Sequence, residues 1–280
     1  MRTLVAIHAH PDDESSKGAG AVARLAEAGF RCVLVTATGG EAGDILNPAM
    51  DHPEVAARLA EVRGEELDLA AKIIGYDEVV KLGYRDSGMP DTDHNSHPEA
   101  FANAPFDEVL ERLVAIVRRE RPSIVFGYDA HERYPHPDHL RVHALSVALV
   151  EAAADPVRFP AAGEPWRIAR LYAPTFTKSR LLALHEAMID RGLESPYGDR
   201  LERFVGLDDD GKPIYRVDVS GMIERAREAL RAHRTQVDPE GHWFAVPSGL
   251  IAEVYPWEDF ELLAADEGAA PPASDLFVPV

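Results

Sequence analysis

Short apolar runs alternate with amphipathic helical patterns through the first 155 of the 280 residues. The runs are rich in β-branched residues, as expected of strands buried on both faces of a sheet, and lie at 4–8, 32–37, 79–82 and 124–126. The helical patterns lie at 16–29, 55–73, 106–117 and 138–153. This alternation is typical of βαβ units, so we predict an α/β fold with a mostly parallel sheet and flanking helices.

The chain after residue 155 is less regular, but it contains no repeat and no change of composition that indicates a linker. Its patterns predict a helix at 180–191, a strand at 214–217 and a helix at 222–233. We therefore predict one domain over 1–280, in which residues 1–155 form the parallel sheet and residues 156–280 pack on the same domain.

Charge and cysteine content limit the partners and the compartment. Lys and Arg total 29 against 48 Asp and Glu, a formal charge of −19 at pH 7, which repels nucleic acids and anionic membranes. The single cysteine, Cys32, allows no internal disulfide and fits a reducing compartment. The apolar run at 4–7 is too short for a signal peptide, and no window approaches the ~18 apolar residues of a membrane span. We expect a soluble cytoplasmic protein with a small-molecule substrate.

Two clusters of potential metal ligands directly follow predicted strands. His-Pro-Asp-Asp-Glu occupies 10–14, and His-Pro-Asp-His occupies 136–139, where it opens a helix. The carboxyl ends of parallel strands meet at one edge of a sheet, so His10, Asp13 and His139 could ligate one cation. Two imidazoles and one carboxylate leave coordination positions open, which is typical of a catalytic zinc site.

Residues beside these ligands could perform the chemistry. Asp12 need not ligate and could act as the general base on a water molecule. His136 lies three residues before His139, so its unligated ring could stabilise an oxyanion or protonate a leaving amine, and Tyr134 could bond the same oxygen. Asp138 is explained better as a carboxylate at the helix N-terminus than as the partner that orients an imidazole.

The two clusters are also compatible with three alternatives. A single His-Pro-Asp-Asp sequence could be a turn followed by a helix cap, because Asp is common at both, although two such clusters make this less plausible. Two His and one carboxylate also suit a ferrous oxygenase. A non-enzymatic module could bind a sugar in the same crevice.

The chain resembles the PIG-L and LmbE-like family of zinc-dependent GlcNAc de-N-acetylases. The resemblance rests on the motifs at 10–14 and 136–139 and covers most of the chain. Its further segments are Gly-Gly-Glu at 39–41, Asp-Ser-Gly at 86–88, Gly-Glu-Pro-Trp at 163–166 and His-Arg-Thr-Gln at 233–236. The resemblance implies a Rossmann-like fold, with the metal bound by residues within 1–155 and a substrate site completed by residues within 156–280.

The resemblance also implies a role for each candidate residue. The ligands of one Zn²⁺ per subunit, with Fe²⁺ also possible, would be His10, Asp13 and His139. The catalytic groups would be Asp12, His136 and Tyr134. The arginine and aspartate that hold inositol in a related deacetylase correspond to Arg63 and Asp86, and the alternative for Arg63 is a solvated helix face.

Within the family, the sequence is most similar to amidases that act on mycothiol S-conjugates. Lys17 fits these amidases rather than the deacetylases and could contact the cysteinyl arm of the substrate; a plain surface lysine is the alternative. We expect hydrolysis of the amide between glucosaminyl-inositol and N-acetylcysteine in a detoxification reaction. Deacetylation of N-acetylglucosaminyl-inositol or a related amino sugar is the other possibility.

The segment before Tyr134 departs from the family. Ala-His-Glu-Arg at 130–133 replaces the usual Asn-Gly-Gly, which predicts a less mobile Tyr134.

Overall fold

Eight strands form one mixed sheet in the computed structural model, which describes residues 2–130, 134–198, 201 and 211–280. The strands are β1 (Thr3–His8), β2 (Arg31–Thr38), β3 (Glu78–Tyr84), β4 (Ile124–Phe126), β5 (Arg170–Thr175), β6 (Ile214–Asp218), β7 (Trp257–Ala265) and β8 (Val278–Pro279). Their order across the sheet is β3-β2-β1-β4-β5-β7-β6-β8. The predicted α/β fold with a less regular C-terminal region on the same sheet is confirmed.

The first five strands are parallel, and the last three are added in antiparallel orientation. Strand β1 lies inside the parallel region, where Ala6 is in register with Leu34 of β2 and Phe126 of β4. Neighbouring parallel strands end at the same edge, so the residues that follow β1 and β4 emerge side by side.

Helices cover both faces of the sheet. They are α1 (Asp13–Ser16), α2 (Ala19–Glu27), α3 (Pro53–Ala56), α4 (Leu59–Ile74), α5 (Phe106–Glu120), α6 (Pro137–Ala154), α7 (Lys178–Asp190), α8 (Ile223–Ala232) and α9 (Ser248–Val254). Val5 and Ile7 pack with α5 and α6, whereas Leu4 and Ala6 pack with α2 and α8. Both faces of β1 are therefore buried, which explains its uninterrupted apolar sequence. Among the described residues, no helix combines the length and the apolar character that crossing a bilayer requires.

The structure differs from the prediction in the bounds of two helices and in several elements that the sequence patterns do not indicate. The helix predicted at 16–29 begins only at Ala19, because Gly18 adopts a φ of 86° and separates α1 from α2. The helix predicted at 55–73 is divided into α3 and α4. Strands β5, β7 and β8 and helix α9 are not predicted by the sequence patterns. Strand β7 carries acidic residues, and one of them, Asp259, is buried. The unfavourable burial of its carboxylate is offset by the hydrogen bonds that it accepts from Thr177 Oγ1 at 2.5 Å and Arg216 Nε at 3.0 Å.

Candidate active site

The two motifs that follow β1 and β4 meet at the carboxyl edge of the sheet. The motif at 10–14 forms the turn into α1, and the motif at 136–139 forms the start of α6. Pro137 fits the first turn of α6, where its missing N–H breaks no intrahelical bond. As a result, the rings of His10 and His139 lie 5.2 Å apart between centroids.

Three potential ligand atoms form a nearly equilateral triangle, which we call the ligand triangle. His10 Nδ1 and Asp13 Oδ2 are 3.3 Å apart, His139 Nε2 and Asp13 Oδ2 are 3.3 Å apart, and the two ring nitrogens are 3.3 Å apart. Ligands held at about 2.0–2.2 Å from one tetrahedral zinc ion lie roughly 3.3–3.6 Å from each other. The donor set and its spacing therefore fit a divalent cation.

The charge states of these residues also suit a metal. Burial lowers the pKa of His139 to about 3, which keeps its imidazole neutral. Burial opposes ionisation of Asp13, but the adjacent Lys17 ammonium outweighs it and holds the pKa of Asp13 well below its usual range. Burial opposes the cationic form of His10, yet the surrounding carboxylates raise its pKa well above 6.5. The negative potential that stabilises a proton on His10 would equally stabilise a metal cation.

Asp138 orients the ring of His10. Its Oδ2 accepts hydrogen bonds from His10 Nε2 at 3.2 Å and from the Ser87 backbone N–H at 3.0 Å, and Ser87 Oγ donates to Oδ1. Because a carboxylate only accepts, Nε2 of His10 carries a proton, and Nδ1, which faces the ligand triangle, is the nitrogen at which a metal could replace the second proton. Asp138 does lie in the first turn of α6, as expected, but its side chain does not cap the helix, because the capping side chain of α6 belongs to His136.

His136 is placed as a hydrogen-bond donor rather than as a ligand. Its Nδ1 accepts the backbone N–H of Asp138 at 3.1 Å, and burial together with the charge of His10 lowers its pKa. A neutral imidazole whose Nδ1 accepts carries its proton on Nε2. His136 does offer a ligand atom within 4.8 Å of those of His10 and His139. A nitrogen that bears a proton does not bind a metal, so this chemistry favours Asp13 as the third ligand.

Asp12 lies beside the ligand triangle in a strained backbone conformation. Its φ of 108° and ψ of −28° fall in a region that residues other than glycine rarely occupy. Its Oδ2 lies 3.3 Å from Arg63 Nη2. Burial raises the pKa of Asp12, the Arg63 guanidinium opposes this, and the Asp13 charge adds to it. A carboxylate with a raised pKa retains a proton more readily than an ordinary aspartate, as a general base requires.

Arg63 supports the loop that carries Asp12. Its Nη2 donates to the carbonyl of Pro11 at 2.5 Å, and its Nη1 donates to the carbonyl of Gly40. Gly40 has a φ of 68°, and a Cβ at this position would lie 2.3 Å from the guanidinium carbon, so only glycine allows this approach. Arg63 is buried, and the solvated-face alternative for it is therefore wrong.

Asp86 and Lys17 contact side chains of the ligand triangle. Asp86 Oδ1 lies 3.5 Å from His10 Nε2 and accepts the N–H of Gly88 at 2.8 Å. Lys17 Nζ donates to Asp13 Oδ1, and its side chain is only 15% exposed, so it is not a plain surface lysine. The substrate contacts of Asp86, Lys17 and Arg63 stay a prediction. In the structure, their side chains contact His10, Asp13 and Asp12, respectively.

A cavity of about 680 Å³ opens over the ligand triangle. All nine site residues predicted from the sequence line it. Phe176, Gln236 and Trp243, which belong to the C-terminal region after residue 155, contribute to its wall. Tyr134 lies at the rim, with its ring centroid 5.2 Å from that of His139. The segment 131–133, on which the predicted loss of mobility of Tyr134 depends, lies outside the described residues.

Tyr128, Glu14 and His233 support the site, although the sequence patterns gave them no role. The Tyr128 hydroxyl accepts the N–H of Ala9 at 3.1 Å, and its ring lies 4.8 Å from that of His139. Glu14 Oε1 lies 2.6 Å from His233 Nε2. Only their positions in the sequence could have indicated them. Tyr128 follows β4 by two residues, Glu14 ends the motif at 10–14, and His233 begins the segment at 233–236.

The sequence model of the family GlcNAc-PI de-N-acetylase (PIG-L) matches residues 5–150, a span that contains both motifs and the inner parallel strands. The chain belongs to this family. The predicted family is thereby confirmed. This PIG-L chain is 40% identical over 283 residues to the mycothiol S-conjugate amidase of Streptomyces coelicolor, covering 98% of this chain and 96% of the relative. It is 36% identical over 277 residues to a 1D-myo-inositol 2-acetamido-2-deoxy-alpha-D-glucopyranoside deacetylase of Geodermatophilus obscurus, covering 96% and 94%.

Solved structures share the fold of this PIG-L chain. The N,N'-diacetylchitobiose deacetylase of Pyrococcus horikoshii superposes with a TM-score of 0.65 at 21% identity, covering 98% of this chain and 88% of that one. The 4-carboxy-2-hydroxymuconate hydratase of Pseudomonas putida superposes with a TM-score of 0.61 at 17% identity, covering 96% and 100%. At such identities the likeness establishes the fold alone, and the reaction has to be argued from the site.

Proposed function

We propose that this protein is a metal-dependent amidase that hydrolyses the amide between glucosaminyl-inositol and N-acetylcysteine in mycothiol S-conjugates. The products would be glucosaminyl-inositol and an N-acetylcysteine conjugate, which removes an electrophile from the cell. The observation that carries the proposal is the ligand triangle with Asp12 beside it, in a chain 40% identical to a mycothiol S-conjugate amidase.

The metal would be held by His10, Asp13 and His139. We propose one Zn²⁺ per subunit, and Fe²⁺ suits the same donors. When bound, the cation supplies Lewis acidity toward the amide carbonyl and makes water more acidic. The protein prepares this site by keeping Asp13 ionised and the proton of His10 on its outer nitrogen, through Lys17 and Asp138.

Asp12 acts as the general base in this proposal. Its carboxylate takes the proton of the attacking water while the water oxygen bonds to the amide carbon. The Asp12 side chain is 29% exposed, so it is open to the cavity, and the nearby Arg63 keeps part of its charge stabilised. Positioned acid–base catalysis of this kind contributes about 10²–10⁴-fold to the rate.

His136 and Tyr134 stabilise the negative charge that develops on the carbonyl oxygen. His136 offers the protonated Nε2 described above. Burial raises the pKa of Tyr134, so its hydroxyl stays protonated and able to donate. The bond between the amide carbon and nitrogen then breaks, and the proton that Asp12 took from the water passes to the leaving amine, because the neutral imidazole of His136 has no second proton to give. One such donor is worth about 10²–10³-fold in kcat in other acyl transfers.

The cavity beside the metal would bind the substrate. We propose that Arg63 and Asp86 lie near the inositol and that Lys17 lies near the cysteinyl arm, with the N-terminal and C-terminal regions both forming the wall. We expect a small-molecule substrate rather than a nucleic acid, since the chain has a formal net charge of −19 at pH 7, which repels phosphate groups. We also propose a cytoplasmic location. The single cysteine, Cys32, allows no internal disulfide, which fits a reducing compartment.

Deacetylation of N-acetylglucosaminyl-inositol is the second candidate, and the 36% identity to a deacetylase favours it. The two reactions share their chemistry and differ in the acyl group, which is acetyl in one and N-acetylcysteinyl in the other. The oxygenase and the sugar-binding module have no such support, because both relatives are named for an amidase or deacetylase activity.

A comparison of two amides tests the proposed function. The zinc-loaded protein should cleave a bimane-labelled mycothiol conjugate with a kcat/KM at least about tenfold above that for N-acetylglucosaminyl-inositol, because additional contacts to the larger acyl group would contribute about 1.4 kcal/mol of transition-state binding. The released amine is measured for both substrates, and chelator-treated protein serves as the blank. A kcat/KM for the acetylated sugar equal to or above that for the conjugate contradicts the amidase proposal.

A further inference from the structure

A buried ion pair lies behind Asp12, and the reaction proposed above does not use it. It joins Glu14 of α1 to His233, which follows α8 more than 200 residues later. His233 Nε2 lies 2.6 Å from Glu14 Oε1, and both side chains are 0% exposed. Burying two ionisable groups is unfavourable unless each is well bonded, so an arrangement of this kind calls for a reason.

The second oxygen of Glu14 bonds the backbone of Asp12. Glu14 Oε2 accepts the Asp12 N–H at 2.9 Å, while Oε1 also accepts the hydroxyl of Ser15 at 2.5 Å. The Asp12 backbone is in the strained conformation described above, and such a conformation costs of order 1–3 kcal/mol and persists only where the surroundings impose it. Glu14 holds this residue through its amide, and Arg63 holds the preceding carbonyl of Pro11.

The loop that carries His233 is held by hydrogen bonds of the two residues that follow it. Thr235 donates its backbone N–H to Glu66 Oε1 at 2.9 Å and its hydroxyl to Oε2 at 2.7 Å. Asn47 Nδ2 donates to the carbonyl of Arg234 at 2.9 Å, which ties the same loop to the segment at 44–47. His233 therefore meets Glu14 from a rigid loop of the C-terminal region.

We propose that Glu14 and His233 are a positioning pair that holds the backbone of Asp12 in the conformation its role as general base requires. The inference rests on the proposed function, because it assigns the pair to the base of that reaction. His233 orients Glu14, Glu14 fixes the amide of Asp12, and the carboxylate of Asp12 is thereby kept beside the ligand triangle. Neither Glu14 nor His233 is among the residues that line the cavity.

Two variants of Glu14 separate positioning from a merely structural role. Glu14→Leu removes the acceptor of the Asp12 N–H, so kcat should fall by about tenfold or more, since misplacing a reacting group by 1 Å can cost about 100-fold. KM and metal content should stay unchanged. Glu14→Gln keeps one acceptor oxygen that can face the Asp12 N–H, and it should restore kcat to within about threefold of wild type. The rates are measured on whichever amide the wild type cleaves faster.

Asp77→Leu is the matched control, since Asp77 Oδ2 accepts the backbone N–H of Cys32 at 2.8 Å near the start of β2, at the edge of the sheet opposite the cavity. It removes the same kind of hydrogen bond as Glu14→Leu, so it should lower Tm and leave kcat within about twofold of wild type. Amide hydrogen exchange at Asp12, measured without substrate, should become faster in Glu14→Leu and not in Asp77→Leu. Hydrogen exchange does not depend on turnover. If the protein cleaved neither amide, the proposed function would be contradicted, but exchange at Asp12 would still test whether Glu14 holds its backbone.

The proposal would be contradicted if Glu14→Leu kept both the wild-type kcat per folded molecule and the wild-type rate of amide exchange at Asp12. If Glu14→Leu does not fold, His233→Gln decides by the same two readouts, because it leaves Glu14 in place and removes its buried imidazole partner. The proposal then predicts a lower kcat and faster exchange at Asp12, and wild-type values of both would contradict it.

Discussion

Asp12→Asn should lower kcat by about 10²–10⁴-fold while the metal stays bound. Asparagine preserves the size of the side chain but cannot take a proton from water, so only the base is lost. The ligand triangle does not include Asp12, which is why metal content should remain that of the wild type. The measurement pairs initial rates at saturating substrate with metal analysis of the same sample.

Asp68→Asn is a matched control for this variant. Asp68 is an exposed residue of α4 whose carboxylate pairs with Lys81 on the surface, away from the cavity. An exposed ion pair contributes about 0–1 kcal/mol, so turnover and stability should change little. Turnover of Asp12→Asn similar to that of the wild type would remove Asp12 from the mechanism.

His139→Ala should lose both the metal and the activity. Loss of a hydrogen bond to a metal ligand lowers metal affinity by up to about 100-fold. The variant removes one of the three ligands itself, so its zinc affinity should fall by more than about 100-fold. Turnover should drop below detection in protein equilibrated with stoichiometric zinc. The measurement is zinc affinity by competition with a chromogenic chelator, followed by an assay of the same samples.

His143→Ala separates loss of the metal from damage to helix α6. His143 lies one turn beyond His139, and its Nδ1 pairs with the carbonyl of Tyr128 at 2.7 Å rather than with the ligand triangle. This variant should keep its zinc affinity. Full zinc affinity in His139→Ala would show that the ligand set is wrong.

The sequence predicts which residues meet at the cavity because these residues stand at fixed places relative to two strands. The runs at 4–8 and 124–126 predicted parallel strands, and the motifs behind them had to meet at one edge of the sheet. Nothing more than strand direction was needed to bring His10 and His139 together. The same logic placed Tyr134 and His136 at the cavity.

The roles of the supporting residues could not be predicted in this way. Asp138 looked like a helix-cap residue because local spacing says nothing of Ser87 and His10, whose positions come from other segments. Glu14 meets His233 across a separation of 219 residues, and such a contact leaves no periodic pattern. Contacts of this kind depend on the final packing of α1 against α8, which local propensity does not specify.

Strand β7 was missed for a related reason. Its sequence contains acidic residues that an interior strand usually lacks, and the partners that satisfy them come from β6 and from the start of α7. The sequence pattern records the charges but not the partners. Burial of charged residues can be recognised only when the groups that pair with them are known.

Anomalous diffraction at the zinc edge, from crystals of the zinc-loaded protein, tests the central claim most directly. One peak per chain should lie within about 2.0–2.3 Å of His10 Nδ1, Asp13 Oδ2 and His139 Nε2 together. A peak bonded to a different set of side chains, or no peak between these three atoms, would contradict the account.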